Sequence, residues 1–162
     1  MLEALLVIGI VAAVQLWQAR DLPAGPAPQL VGTLTDGRPA SLAAALKAAN
    51  GRPVLVAFWA TWCPVCKAEE GNVDAVARDW PTLTVAMQSG EAAAVAKHLQ
   101  ERGLGFPALV DADGRLATEW KVRGVPTHFI VDGSGIVRFQ LVGYATNLGL
   151  RARLWWASRF PA

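Results

Sequence analysis

Pro53-Val54-Leu55-Val56-Ala57-Phe58-Trp59-Ala60-Thr61-Trp62-Cys63-Pro64-Val65-Cys66 is the stretch that decides the fold. Its first eight residues are apolar on both faces, the pattern of a central strand in a parallel sheet. A helix-forming stretch from Lys67 to Trp80 follows directly. The only two cysteines of the chain therefore sit where a buried strand turns into a helix. Pro64 suits the first helical turn, where no backbone N–H is needed. Two sulfurs at this spacing can close a disulfide and reopen it. A ring so small constrains the unfolded chain by only about 2 kcal/mol, against roughly 3 for a fifteen-residue loop. Exchange is thus a better use for the pair than stapling.

The position also suggests how the two thiols divide the chemistry. Unpaired N–H groups at a helix N-terminus favour a thiolate over the ordinary thiol of pKa ~8.5. Cys63 is expected to be the exposed, activated sulfur, and Cys66, one turn into the helix, the more buried one that acts second. Three other readings compete. A structural disulfide is disfavoured by the loop argument. A zinc site needs four ligands as a rule, and no second CxxC or His-x-x-x-His completes one. Buried core thiols without a role are common enough to stay open.

Length and composition set the frame. The 162 residues suit one domain with an appendage; 53% are hydrophobic and 17% charged, which excludes general disorder. A net charge of +2 with scattered basic residues gives no argument for a nucleic-acid partner. Ala4 to Ala19 is apolar, and as a helix it covers about 24 Å of a ~30 Å hydrocarbon core, or nearly all of it once Met1 and Leu2 are included. With Trp17 at an interfacial position and no small-x-small cleavage site following, residues 1–20 read as an uncleaved membrane anchor. Glu3 before the span and Arg20 after it run against the positive-inside rule, so either the orientation is set another way or the true start lies upstream. A core helix is the competing account, since the segment is apolar all round. Residues 21–28, rich in proline, read as an extended linker. The globular domain is then 29–162.

Along that domain, Leu30 to Leu34 alternates weakly before an Asp36-Gly37 turn. Ser41 is placed to cap a helix over Leu42 to Ala49 that Asn50-Gly51 ends. Strands are expected at 83–87 and 106–110, with helices at 91–102, capped near Ser89, and at 116–120. Thr127–Val131 and Ile136–Val142 form a predicted antiparallel hairpin around Asp132-Gly133-Ser134-Gly135, and a final helix runs over 148–158. The order predicts an α/β sandwich.

Taken together, Phe58-Trp59-Ala60-Thr61-Trp62-Cys63-Pro64-Val65-Cys66, Gly124-Val125-Pro126-Thr127 and Phe129-Ile130-Val131-Asp132 resemble the thioredoxin superfamily. More narrowly they resemble its membrane-anchored TlpA- and ResA-like thiol–disulfide oxidoreductases. The Cys-Pro-Val-Cys motif and the ending from Gly143 to Trp155 are most similar to ScsD-type proteins. The resemblance implies a thioredoxin-like three-layer sandwich with a central mixed sheet behind an N-terminal transmembrane helix, facing the periplasm from the inner membrane. It implies exchange at Cys63 and Cys66 with disulfides of envelope proteins, chiefly as a reductase, with no cofactor and a membrane thiol reductase as electron donor. Pro126 is the implied cis-proline facing the cysteines, and Val125 the residue whose backbone pairs with a substrate strand. Trp62, Pro64, Val65 and Thr127 complete the implied contact surface, with Trp62 shielding the disulfide and Trp59 below it.

Glu69 matches an active-site acid of the ResA-like branch, placed to relay a proton as the second thiol becomes nucleophilic; a solvated helix-face glutamate is the rival, and Glu70 is a weaker, exposed candidate. Two departures stand out. Ala57 occupies the position of thioredoxin's buried aspartate, so proton handling must differ, and Gly71 stands where this branch often has proline. His98 is expected to face solvent. His128, two residues after Pro126, is a candidate modulator of Cys63 or a metal ligand. The C-terminal helix is expected to pack Trp155, Trp156 and Phe160 on the sheet, with lipid contact through Arg151, Arg153 and Arg159 as the other option. The rival function is a Cu(I)-handling binding module built on the two thiolates. A peroxiredoxin-type peroxidase lacks its Pro-x-x-x-Thr-x-x-Cys context.

Overall fold

Val54–Trp59 is strand β4, and every one of its side chains is buried. A computed structural model describes Gly9, Val14 and residues 20–161. Strand geometry sends alternate side chains to opposite faces. Val54, Val56 and Phe58 join one apolar cluster, and Leu55, Ala57 and Trp59 join another. The first cluster is closed by helices α1 (Leu42–Ala49) and α4 (Arg115–Glu119), which contribute Leu42, Leu116 and Ala117. The second is closed by α2 (Pro64–Ala77), α3 (Ala92–Glu101) and α5 (Asn147–Arg159). The result is three layers with a mixed sheet in the middle.

Six strands form that sheet in the order β1 (Gly25–Pro26), β8 (Ile136–Val142), β7 (Thr127–Val131), β4, β5 (Thr82–Met87) and β6 (Ala108–Asp111). β4, β5 and β6 run parallel. β7 runs antiparallel to β4 and forms the predicted hairpin with β8. β2 (Val31–Thr33) and β3 (Pro39–Ser41) form a separate two-stranded ribbon, from which Leu34 bridges to Leu109 of β6. The glycine turn of the hairpin is held by Asp132, whose Oδ1 accepts the N–H groups of Ser134 and Ile136. Gly133 is required there, because a Cβ would come within 2.5 Å of the Gly51 carbonyl oxygen.

Local signals set several boundaries. The Ser41 hydroxyl accepts the Ala44 N–H at 3.1 Å, and Asn50 ends α1 in the left-handed conformation at φ 50°. Ser89 behaves otherwise. It does not cap α3 but accepts the Thr61 N–H and donates to Met87 O, tying the strand-to-helix loop to the end of β5. Gly71 lies within α2, which continues unbroken to Ala77.

The 21–28 segment is not a free spacer. Gly25–Pro26 is strand β1 and pairs with Val137 and Ile136 of β8, while Leu22 is buried in the first core cluster. Gln140 Nε2 donates to Pro23 O at 2.5 Å. The domain therefore starts near Leu22 rather than Gln29. Proline tolerates this place because an edge strand has a side that needs no donor, and β1 covers the open edge of β8. The anchor expected over 1–20 falls almost wholly outside the described residues; among those described, no helix is long and apolar enough to cross a membrane. On α5, Leu150, Leu154 and Ala157 face the sheet, whereas Trp155, Trp156 and Phe160 are about half exposed, contrary to the packing expected of them. Trp156 and Phe160 instead pack against each other, with ring centroids 4.6 Å apart and the planes tilted by 40°.

Candidate active site

Cys63 is the N-cap of α2, and its sulfur accepts the Cys66 N–H at 3.2 Å. One residue thus serves as helix cap and as candidate nucleophile, with a backbone N–H aimed at the atom on which negative charge develops. Across the cleft, the Val125–Pro126 peptide bond is cis. This turn brings the Val125 carbonyl to 3.5 Å from the Cys63 sulfur, which donates its S–H to it. Both cysteines are free thiols.

Cys63 is less open than expected, at 4% exposure, and Cys66 is buried at 2%. Trp59 shares one apolar cluster with both cysteines, and the half-buried Val125 packs against that cluster. Trp62, Pro64 and Val65 surround Cys63 and are exposed. Trp62 is 56% exposed and donates its indole N–H to Gln88 O at 2.9 Å, so it extends toward the end of β5. Thr127 faces no partner: its side chain is buried and its hydroxyl donates to Gly124 O at 2.8 Å, which holds the cis turn.

Glu69 is 2% exposed and not a solvated helix-face residue. Its Oε2 accepts the Ala145 N–H at 2.7 Å, and its Oε1 lies 2.9 Å from Nε2 of His128, which is fully buried. The His128 approach is close but off-axis, and neither ring nitrogen has a hydrogen-bond partner of proper geometry. His128 sits opposite Ala57 in the β4–β7 ladder, where the small alanine side chain leaves room for an imidazole. Cys66, Glu69, His128, Ala57 and Trp59 line one small cavity of about 10 Å³. His128 therefore lies beneath Cys66 and not beside Cys63. Among the described residues, no cluster of three or more His, Cys, Asp or Glu side chains is arranged to hold a metal ion.

Glu70 and His98 also depart from expectation. Glu70 is buried, accepting from Arg102 Nε and lying 3.1 Å from Nε2 of His98. His98 is half-buried and its ring packs on Trp59 at 5.5 Å. Trp59 is fixed in turn by its bond to Thr84 Oγ1 at 3.0 Å and by an edge-to-face contact with Phe106. A helical stripe of Cys66, Glu69, Glu70 and Val73 at i, i+3, i+4 and i+7 could have revealed both carboxylates as inward-facing. For His128 the signal was its phase with Ile130 in a strand covered on both sides.

Burial pushes the Cys66 thiol well up from its ordinary value, reinforced by the Cys63 sulfur and the Glu69 charge. Above the unfolded thiol's pKa of ~8.5, the unfolded chain has lost this proton while the native chain keeps it. Unfolding then releases a proton, so the stabilisation present below that pH declines as pH rises, by up to about 1.4 kcal/mol per unit. Urea unfolding of the reduced protein between pH 7 and 10 should show a steeper loss for wild type than for Cys66→Ala. Parallel curves would contradict the assignment.

Comparison with known proteins supplies the family. The AhpC/TSA family pattern matches residues 23–140. The chain belongs to that family. The chain is 28% identical over 159 residues to the thiol:disulfide interchange protein DsbE of Tatumella citrea, across 90% of this chain and 83% of that protein. It is 40% identical over 90 residues to a DsbE homolog of Paracoccus denitrificans, across 55% of this chain and 50% of that protein. The chain thus spans most of the first relative and half of the second. A crystal structure of a thioredoxin-family thiol:disulfide interchange protein from Chlorobium tepidum superposes with a TM-score of 0.70 at 26% identity, covering 85% of this chain and 99% of that one. The fold of this family member is thioredoxin-like, and the protein is a thioredoxin-like protein-disulfide oxidoreductase.

Proposed function

We propose that the chain is a protein thiol–disulfide oxidoreductase of the cell envelope, working as a reductase and held to the inner membrane by residues 1–20. The observation that carries the activity is the Cys63 sulfur, which caps α2 and faces the Val125 carbonyl across the cleft. Cys63 attacks a partner disulfide and forms a mixed disulfide. Cys66 then displaces the partner and closes Cys63–Cys66, so two electrons pass to the substrate. Val125 supplies backbone pairing to the partner strand, and Trp62, Pro64 and Val65 form the contact rim. The similarity to proteins named for thiol:disulfide interchange supports this reading. The apolar run from Ala4 to Ala19 and the resemblance to TlpA-, ResA- and ScsD-type proteins support an anchored periplasmic domain. Disulfide-bearing envelope proteins are the substrates, and a membrane thiol reductase resets the dithiol.

The direction is tested by equilibrating the protein with glutathione and measuring its reduction potential beside an insulin-reduction assay. A reductase should lie below the ~−180 mV of protein disulfide isomerase; a value near the ~−120 mV of strong oxidants would reverse the direction. Cu(I) titration of the reduced protein runs alongside. Tight binding without insulin reduction would favour the copper-handling module instead.

A further inference from the structure

His128 has no part in the mechanism above, yet it is a fully buried imidazole whose two nitrogens lack properly aligned partners. Buried polar atoms are nearly always hydrogen-bonded, and an exception calls for a reason. The surroundings supply one. From α2, Cys66 and Glu69 reach the same small cavity, and its volume of about 10 Å³ approaches that of a single water site. On the β4 side the wall is Ala57, with no charge, and the ladder neighbour on β8 is Leu141. Glu70 borders the cavity too, but it is engaged by His98 and Arg102 of the α3 side. Among the described residues, Glu69 is the carboxylate ion-paired with His128, at 2.9 Å, and its other oxygen is held by the Ala145 N–H. The thiol that must lose a proton, an acid oxygen and an imidazole thus share one small space and are each buried.

We propose that His128 is a positioning residue for the resolving step, forming with Glu69 a two-group proton reservoir beneath Cys66. This rests on the dithiol-exchange reading. In the mixed disulfide, the Cys66 S–H proton passes to Glu69, directly or through one water, and is shared with the imidazole. The Cys66 thiolate attacks the Cys63 sulfur, forming the intramolecular disulfide and breaking the Cys63–partner bond. The partner sulfur leaves with the electron pair and takes a proton from solvent. When the disulfide is reduced again, the reservoir returns its proton to the Cys66 thiolate. His128 thereby takes over across the sheet what Ala57 cannot do from β4.

The test is acid-quenched single turnover of the reduced full-length chain with a disulfide-bearing peptide. Mass spectrometry follows formation and decay of the mixed disulfide from pH 5.5 to 9. His128→Gln and His128→Leu should leave formation within about twofold of wild type but slow decay roughly 10- to 100-fold near pH 7, at or below the low end of the ~10²–10⁴-fold of direct acid–base assistance because His128 acts through Glu69. Their decay should rise more steeply with pH than wild type's. Adding either change to Glu69→Gln should slow decay little further, since the pair acts as a unit. Superimposable decay profiles in folded variants, or equal slowing of both phases, would overturn the proposal. Should both variants fail to fold, the wild type decides: the ¹⁵N shifts of the His128 ring must differ between the dithiol and disulfide forms, and invariance would refute the role. Absence of any mixed disulfide in wild type would instead refute the exchange reading itself.

Discussion

Reduced Cys66→Ala protein, offered a disulfide-bearing substrate, should accumulate as a covalent adduct through Cys63. The Cys63 sulfur keeps its cap position and the Val125 carbonyl opposite, because neither depends on the Cys66 side chain: the N–H it accepts is backbone. Attack therefore proceeds. Release does not, since the resolving thiol is gone. Well-oriented intramolecular groups act at effective concentrations of ~10⁵ M or more, so millimolar thiol in solution would resolve the adduct about 10⁸-fold more slowly than an ideally placed resolving thiol. The lost sulfur should cost only about 1 kcal/mol of stability, so the protein remains folded. Non-reducing electrophoresis and mass spectrometry would show the adduct, and Cys63→Ala should show neither adduct nor turnover. A folded Cys66→Ala chain that traps nothing would count against the exchange mechanism.

Trp120→Ala should be the most destabilising single change on the far side of the sheet. Trp120 is completely buried, packs edge-on against Phe129 at 4.8 Å and against Phe58 at 5.7 Å, and donates its indole N–H to Gln29 O at 3.1 Å. Truncating a buried aromatic of this kind costs about 3–5 kcal/mol, a large share of a total stability of ~5–15. Trp120→Phe keeps most of the ring packing but gives up the bond to the Gln29 carbonyl, which is on an exposed residue, for a loss of roughly 0.5–1.5 kcal/mol. Urea unfolding of the oxidised proteins measures both. A loss under about 1.5 kcal/mol for the alanine variant would mean the Phe58–Trp120–Phe129 cluster is not the keystone of this layer. The dithiol lies in the other cluster, so adduct formation by surviving folded protein should be unaffected.

Much of the architecture is written in short-range rules. The apolar run of β4, the Ser41 cap, the Asn50 stop and the glycine turn between β7 and β8 are local patterns. Each has one comfortable backbone solution. The dithiol was equally legible, because strand, cysteine and helix follow one another without a break. Reading the prolines of 21–28 as a spacer failed for a definable reason. Nothing within that segment records that the edge of β8 is open and needs a strand beside it. His98, Glu70 and Glu69 are hard to place from sequence for a related reason, since a charged or titratable side chain on a helix is exposed by default until a partner from elsewhere accepts it.

By itself, then, the sequence determined the order of elements, the sandwich and the position of two reactive sulfurs, all set by neighbours along the chain. Only the tertiary structure decided that Cys63 is buried, that Thr127 turns inward, and that Glu69 meets Ala145, 76 residues further along. Those outcomes depend on strand register and helix docking. His128 lies over Ala57 because β7 pairs with β4 in one register, and a shift of one residue would turn it to the opposite face.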